Sequence, residues 1–241
     1  MVAVKGRNVS YDVVVFGAHP DDAEMGMGGT IAKLCRAGRS VLIVSLSHGE
    51  SATHGSPEER EREAGKAAAT LGCTHRLLDF PDARIESNLT GRDRLMRLLR
   101  EARPQIVFAP SHANRFGHHD GAAHFDHLAT GALVRDAVKL ARMRGVERET
   151  PAHDVRRLFY YMVPRDTYPH LLVDVSAEFD VLVRAIEAYT SQMAMERQGH
   201  QILDLLQTYR RYFGVSAGCA YAEPFLCEEA LSADAETLFR I

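Results

Sequence analysis

The stretch that decides the fold reads Val13-Val-Val-Phe-Gly17-Ala-His19-Pro-Asp21-Asp22-Ala-Glu24. Four consecutive apolar residues followed by a glycine predict a short strand that is buried on both faces, as in a parallel sheet. An imidazole and adjacent carboxylates follow directly where the strand ends. Because ligands of open α/β sheets bind outside the carboxyl ends of the strands, this stretch also predicts a functional site.

His19 and Asp22 are three positions apart across a turn that contains Pro20. This spacing brings a nitrogen and an oxygen donor close enough to bind one metal ion, and it leaves Asp21 free to carry a proton. Two other interpretations stay open: the acidic pair can cap a helix, and the glycine-rich stretch 26–30 can cradle the phosphates of a dinucleotide. A phosphate-binding loop should follow the strand directly, however, whereas acidic residues intervene here. The sequence therefore favours a metal site.

A histidine-rich segment, residues 112–127, offers a third metal ligand. It follows the apolar stretch 105–110, which predicts another strand. Residues 128–134 continue with helical spacing, so His124 and His127 are expected on one face of a first helical turn. The segment contains five histidines, too many for an ordinary solvated loop: His112, His118, His119, His124 and His127.

The two motifs, Ala18-His-Pro-Asp-Asp-Ala-Glu24 and His124-x-Asp126-His127, together resemble the signature of the zinc-dependent N-acetylglucosamine deacetylase family, the LmbE or PIG-L-like proteins. The likeness is greatest to the bacillithiol-pathway branch, the N-acetylglucosaminyl-malate deacetylases. Similar stretches run through most of the chain, which makes the resemblance more specific than either motif: residues 16–33, 55–60, 71–72, 80–82, 191–192 and 221–225.

The resemblance implies a role for each residue of the predicted site. The zinc ligands of the family map onto His19, Asp22 and His127. Its general base maps onto Asp21, and the histidine that stabilises the oxyanion maps onto His124. We therefore expect one Zn²⁺ per chain, with other divalent transition metals as alternatives. The residue types agree, because two nitrogens and one carboxylate oxygen suit zinc and three protein ligands leave a position open for water.

The reaction implied is hydrolysis of the N-acetyl group of an N-acetylglucosamine (GlcNAc) conjugate, which gives acetate and a free amine. The expected substrate is N-acetylglucosaminyl malate, in bacillithiol biosynthesis. Chitin-derived GlcNAc oligosaccharides and other GlcNAc conjugates are alternative substrates. A non-catalytic, sugar-binding relative and a nucleotide-binding oxidoreductase are alternatives of other classes. The resemblance also implies a homo-oligomer, either a trimer or a hexamer.

The second motif departs from the family pattern. Relatives usually read Asp-Arg-His-Pro-Asp-His, whereas Ala123 stands at the arginine position and Phe125 at the proline position. Several extra residues precede the motif, and we expect Arg115 among them to replace the missing cation toward an anionic substrate. His118 and His119 compete as the third metal ligand. The helix after the motif fits the family without a gap, which favours the assignment given above.

Three further residues are given supporting roles. Arg60 matches an arginine of relatives that faces the substrate, although a solvated helix arginine is the alternative. Glu24 is predicted either to accept a hydrogen bond from His19 or to favour the start of the following helix. Asp126 is predicted to orient His124 in the same way or to cap its helix.

Composition excludes several classes of function. The 241 residues, 46% of them hydrophobic, suffice for one large α/β domain spanning 1–241. A net charge of −3 without a basic stripe argues against nucleic-acid and membrane-surface partners. The sequence has no apolar run of about 18 residues, and its first residues lack the apolar stretch of a secretory leader, so neither membrane spanning nor secretion is expected. The four cysteines are scattered, which is typical of a reducing compartment, so a cytoplasmic location is expected.

The order of elements predicts a Rossmann-like α/β fold, in which a mostly parallel sheet has helices on both faces. Strands are predicted near 12–17, 40–46, 75–79, 105–109, 158–163 and 171–175. Helices are predicted near 28–37, 57–71, 91–102, 125–143, 178–191 and 196–212.

Overall fold

The computed structural model describes residues 10–114, 124–193, 196–197, 199–232, 234 and 236. Arg115, His118, His119 and Ala123 lie outside the described residues. The helices and strands follow one another in this order: β1 Val13–Gly17, α1 Asp22–Arg36, β2 Val41–Ser45, α2 Pro57–Leu71, β3 Thr74–Leu77, α3 Leu89–Ala102, β4 Ile106–Pro110, α4 Phe125–Ala141, β5 Arg157–Tyr161, β6 Leu171–Asp174, α5 Phe179–Glu187, α6 Thr190–Met193, β7 Glu196–Arg197, β8 His200–Gln201, α7 Ile202–Ala217 and β9 Ala222–Phe225.

Five parallel strands form the central sheet, in the order β3-β2-β1-β4-β5, which confirms the predicted sheet. Val13 of β1 lies opposite Val41 of β2 on one side and Ile106 of β4 on the other. The strand order therefore reverses between β1 and β4. In doubly wound sheets the crevice at such a reversal binds ligands. Both predicted motifs follow these two strands, so the fold brings them to the same crevice.

The two faces of β1 build the two halves of the core. Val14 and Phe16 pack with residues of α3 and α4 on one face. Val13 and Val15 pack with residues of α1, α2 and α5 on the other. These four side chains are at most 2% exposed, and burial of one such side chain contributes roughly 1.5–3 kcal/mol. Helices on both faces of the sheet are thus confirmed.

Helix α1 begins at Asp22 rather than near residue 28, which corrects the prediction. The glycine-rich stretch is part of the helix because its glycines allow close packing. A Cβ atom on Gly26 would lie 2.3 Å from the ring of Tyr161, and one on Gly28 would lie 2.6 Å from Leu182. The helix is kinked at Met27, where φ is −151°. The early start places Asp22 in the first helical turn, directly after the strand.

The predicted helix over 178–191 is shorter than expected and ends at Glu187. Glu63 of α2 accepts hydrogen bonds from the Thr190 hydroxyl and from the backbone and hydroxyl of Ser191. These bonds hold the following segment against α2, where it forms the short helix α6. Sequence periodicity cannot detect such a tertiary contact, so the prediction extended the helix too far.

The C-terminal part of the chain contains a strand that the sequence did not predict. Strand β9 pairs antiparallel with β6, and Leu226 after it forms a bridge with Tyr160 of β5. The predicted helix over 196–212 begins only at Ile202, because the two-residue strands β7 and β8 precede it.

Within the described residues, every helix is too short or too polar to span a bilayer. A single domain over 1–241 stays a prediction.

Candidate metal centre

The crevice brings together the three predicted metal ligands. His19 lies in the turn after β1, Asp22 in the first turn of α1, and His127 in the first turn of α4. One potential ligand atom from each lies within 4.8 Å of the others. The Asp22 Oδ1 atom is 3.0 Å from His127 Nε2, and Asp22 Oδ2 is 3.5 Å from His19 Nδ1. Two imidazoles and one carboxylate are a donor set that suits zinc.

The Asp22 carboxylate is fixed by the backbone of the turn before it. Its Oδ2 atom accepts hydrogen bonds from the N–H groups of Ala18, at 2.8 Å, and His19, at 2.9 Å. Burial disfavours its ionised form, but the imidazoles of His127 and His19 outweigh burial and hold the pKa of Asp22 well below its usual range. The carboxylate is therefore an anion at neutral pH, as a metal ligand must be.

Two carboxylates orient His19 from the side opposite Asp22. The His19 Nε2 atom lies 3.0 Å from Asp82 Oδ1 and 3.2 Å from Asp126 Oδ2. Burial lowers the pKa of His19, but Asp22, Asp126 and Asp82 together raise it to about 12. At that pKa the ring carries a proton on each nitrogen, so a metal bound at Nδ1 would displace the proton there, while Asp82 and Asp126 would keep the proton on Nε2 and orient the ring.

Asp82 had no predicted role, and its sequence signal was slight. The one sequence feature that pointed to it was its place in the family-like stretch 80–82. In the structure its Oδ2 atom accepts a hydrogen bond from the backbone N–H of Ser51, at 2.7 Å, which fixes the carboxylate. The contact between Asp82 and His19 joins segments that are distant in the sequence, so local patterns could not reveal it.

The predicted partner of His19, Glu24, makes a different contact. Glu24 is 1% exposed, and among the described residues its carboxylate accepts a hydrogen bond from the Tyr189 hydroxyl, at 2.8 Å. Burial raises the pKa of Glu24 to about 7. The predicted hydrogen bond from His19 to Glu24 is therefore corrected, because Asp82 and Asp126 contact His19 instead.

Asp126 also has a partner that differs from the prediction. Its carboxylate contacts His19 and accepts hydrogen bonds from the N–H groups of Ala83, at 2.8 Å, and Ile85, at 3.0 Å. Only its backbone N–H contacts His124, donating to Nδ1 at 3.3 Å. The predicted orientation of His124 by the Asp126 side chain is thus corrected.

His124 lies at the start of α4, beside His19 and His127, the two candidate ligand histidines. Its ring centroid is 5.4 Å from that of His19 and 5.3 Å from that of His127. Burial lowers the pKa of His124, and the neighbouring imidazoles lower it further. The ring is therefore neutral at neutral pH. Since Nδ1 accepts the N–H of Asp126, the ring proton is assigned to Nε2, which makes this nitrogen a hydrogen-bond donor.

Asp21 is held in an unusual conformation next to the three ligands. Its φ of 108° lies in a region that residues other than glycine rarely adopt. Although Asp21 occupies the N-cap position of α1, its side chain makes no capping hydrogen bond among the described residues. Burial raises the pKa of Asp21 to about 6, against the opposing effect of Arg60. A carboxylate with this pKa can accept a proton near neutral pH.

Arg60 lies beneath Asp21 and is only 3% exposed. Its guanidinium donates hydrogen bonds to the Pro20 carbonyl, at 2.7 Å, and to the Gly49 carbonyl, at 3.1 Å. It also donates to Asp21 Oδ2, at 3.3 Å. The alternative of a solvated helix arginine is therefore wrong. The predicted contact of Arg60 with substrate stays a prediction.

The charges of the centre fit a bound cation. The carboxylates of Asp21, Asp22, Asp82 and Asp126 are all buried around a few imidazoles and one guanidinium. A second group of potential ligands, His19, His124 and Asp126, shares His19 with the first. Both oxygens of Asp126 accept backbone N–H groups, whereas both backbone bonds of Asp22 fall on Oδ2 and leave Oδ1 facing His127. The group containing Asp22 and His127 therefore fits a metal better.

The chain is similar to known proteins over most of its length. The family model described as "PIG-L: GlcNAc-PI de-N-acetylase" matches residues 14–138. Diacetylchitobiose deacetylase of Thermococcus kodakarensis is 28% identical over 228 residues, covering 88% of this chain and 80% of that protein. The 1D-myo-inositol 2-acetamido-2-deoxy-α-D-glucopyranoside deacetylase of Actinosynnema mirum is 25% identical over 229 residues, covering 76% of this chain and 81% of that one.

A solved structure is similar as well. The crystal structure of a conserved protein from Thermus thermophilus is 36% identical, with a TM-score of 0.84. The match covers 93% of this chain and 98% of that one. The matches in sequence and in structure therefore include both strands that carry the candidate centre.

Proposed function

Since this chain belongs to the PIG-L (GlcNAc-PI de-N-acetylase) family, we propose that it is a metal-dependent hydrolase that removes the acetyl group from a GlcNAc conjugate. The observation that carries the proposal is the meeting of His19, Asp22 and His127 at one crevice. Asp21 stands beside these ligands with a pKa raised to about 6. Metal binding alone would not require a positioned base.

We assign the metal to His19, Asp22 and His127, and we propose zinc as the ion. When bound, such an ion polarises a carbonyl oxygen and makes water more acidic. The protein's own contribution is to present two imidazole nitrogens and one anionic oxygen, and each imidazole would release a proton when the ion binds. Asp82 and Asp126 hold His19 in the required tautomer.

Asp21 acts as the general base in this proposal. Water attacks the carbonyl carbon of the acetamide, and its proton passes to the Asp21 carboxylate. His124 donates its Nε2 proton as a hydrogen bond to the oxygen that becomes negatively charged. Such a donor typically contributes about 10²–10³ in rate. The C–N bond then breaks, the amine leaves with the proton from Asp21, and acetate is the other product.

The substrate class follows from the chemistry and from the relatives together. The relatives named above act, by their names, on diacetylchitobiose and on a GlcNAc-inositol, and both carry an acetamido sugar. The sequence-based expectation of N-acetylglucosaminyl malate depends on Arg115, which lies outside the described residues. Diacetylchitobiose is the second candidate, favoured by a relative that matches 88% of this chain. A cytoplasmic location and a homo-oligomer stay predictions.

The experiment that tests this proposal is an assay of acetate and free-amine release across a panel of acetamido sugars. The panel contains N-acetylglucosamine, diacetylchitobiose, N-acetylglucosaminyl malate and GlcNAc-inositol. We expect zinc-loaded protein to release both products from at least one conjugate in equal amounts. Absence of release from every member would contradict the proposed function.

A further inference from the structure

Phe125 is an exposed aromatic residue at the edge of the candidate centre. It is the first residue of α4, directly between His124 and Asp126. Its side chain is 57% exposed, whereas Asp126 and His127 beside it are buried. Single exposed apolar side chains are common at protein surfaces, so the exposure of Phe125 is informative only because its ring lies beside the candidate centre.

The ring of Phe125 lies against the ring of His124, a residue of the candidate centre. Its centroid lies 4.1 Å from that of His124, and the two ring planes are tilted by 30°. The imidazole of His124 in turn lies against the two metal-ligand histidines. An apolar surface therefore extends outward from the residue assigned to the acetamide oxygen.

Local structure does not account for a phenylalanine at this position. Phe125 belongs to neither of the two core clusters, whereas Leu133 and Val134 of the same helix belong to the one that contains Val14 and Phe16. A first helical position favours proline or a small polar residue, and phenylalanine has no advantage there. Burial of apolar area and helix formation both leave the residue unexplained, and its position against His124 favours contact with a substrate.

We propose that Phe125 is a stacking surface for a second sugar ring, the one joined to the acetamido sugar that reacts. This inference rests on the proposed function. One face of a pyranose ring presents C–H groups, which pack well against the electron-rich face of an aromatic ring. Malate has no such ring face. Phe125 therefore selects glycosides in which a further sugar is attached, such as diacetylchitobiose.

Kinetics on two substrates measure this selectivity. In Phe125→Ala, we expect the ratio of kcat/KM for diacetylchitobiose to that for N-acetylglucosamine to fall about threefold to tenfold, mainly through KM. Phe125→Leu should lose the same amount because it lacks an aromatic face, while Phe125→Tyr should keep the ratio. Tyr212→Ala removes another exposed aromatic residue, 67% exposed on α7, and should leave the ratio unchanged.

A fluorescence measurement gives a readout without turnover. The chain has no tryptophan, so Phe125→Trp introduces a single tryptophan at the proposed surface, whose emission can be excited separately from that of the tyrosines. In the zinc-loaded protein carrying Asp21→Asn as well, diacetylchitobiose should change the emission in a saturable way. Tyr212→Trp in the same background should not respond.

Several results would overturn the inference. An unchanged ratio in Phe125→Ala would do so, as would a normal ratio in Phe125→Leu or an unresponsive tryptophan at position 125. A changed oligomeric state of Phe125→Ala with a normal ratio would assign the residue to a subunit contact. These outcomes are separate from failure of the proposed function, in which the wild type releases acetate from no sugar.

Discussion

The guanidinium of Arg60 lies under Asp21, with Nη2 at 3.3 Å from Asp21 Oδ2 and at 2.7 Å from the Pro20 carbonyl oxygen. It thereby holds both the carboxylate and the backbone just before it. A backbone conformation such as that of Asp21 costs about 1–3 kcal/mol and persists only when its surroundings enforce it. We infer that Arg60 positions the base.

We expect Arg60→Lys to lower kcat roughly tenfold to a hundredfold while zinc content stays normal. Lysine keeps the positive charge, but it cannot donate to the carbonyls of Pro20 and Gly49 and to Asp21 in the geometry of a guanidinium. Steady-state kinetics with metal analysis would measure both effects. Arg62→Lys, at an exposed position of the same helix, is the matched control. A normal kcat in Arg60→Lys would show that Asp21 needs no such support.

Asp21→Asn should keep zinc and lose kcat by roughly 10²–10⁴, which is the usual contribution of a positioned proton-transfer group. A base works only when deprotonated, so wild-type activity should fall as the pH drops through the pKa of Asp21. Burial raises that pKa to about 6, and a bound cation would lower it again. The acidic limb should therefore have its midpoint at or below about pH 6.

The pH–rate profile of Asp21→Asn supplies the control for this assignment. Residual activity in the variant should lack the acidic limb, since the titrating group is gone. If the variant had a near-normal kcat with its zinc verified, another residue would be the base.

His127→Ala should lose both zinc and activity, because it removes one of the three ligands. Elemental analysis of the purified variant measures the metal directly. His118→Ala and His119→Ala serve as matched controls and should keep zinc at the wild-type level. Full zinc in His127→Ala would instead assign the third ligand to the histidine-rich segment before α4.

The sequence predicted the parts of the site that depend on neighbouring residues. A buried strand followed by His19 and Asp22 required only local spacing, and the structure brings both side chains to the expected crevice. His124 and His127 likewise follow from helical spacing. In each case the side chains are a few positions apart, and the fold class fixes where they lie.

The parts that sequence analysis missed depend on contacts between distant segments. Asp82 contacts His19 from the loop after β3, and the Tyr189 hydroxyl donates a hydrogen bond to the carboxylate of Glu24. The early start of α1 was missed because glycines usually interrupt helices. Here they permit contact with Tyr161, which is distant in the sequence. Such contacts are known only once the chain is folded.

A buried ion pair between Arg210 and Glu223 binds the backbone of α1 around its kink. Glu223 accepts hydrogen bonds from the N–H groups of Gly29, at 3.1 Å, and Thr30, at 2.7 Å. Arg210 donates to Glu223 at 2.7 Å and to the Met25 carbonyl at 2.8 Å. The pair thus hydrogen-bonds backbone groups on both sides of the kink at Met27.

Glu223→Gln should lower the free energy of unfolding by about 3–5 kcal/mol, because the guanidinium of Arg210 would stay buried without its counter-charge. Urea denaturation followed by circular dichroism would measure the loss. Arg97→Gln breaks a pair at a side chain that is 55% exposed, and its unfolding midpoint should hardly change. Equal, small effects in both variants would contradict a structural role for the buried pair.

The most direct test of the account is a zinc titration of metal-free protein with acetate release as the readout. We predict no activity without metal, followed by a rise that is complete at about one zinc per chain. The metal-free His127→Ala protein should not be activated by the same additions. Full activity of the metal-free wild type, or no acetate release from any GlcNAc conjugate at full zinc occupancy, would contradict a metal-dependent deacetylase.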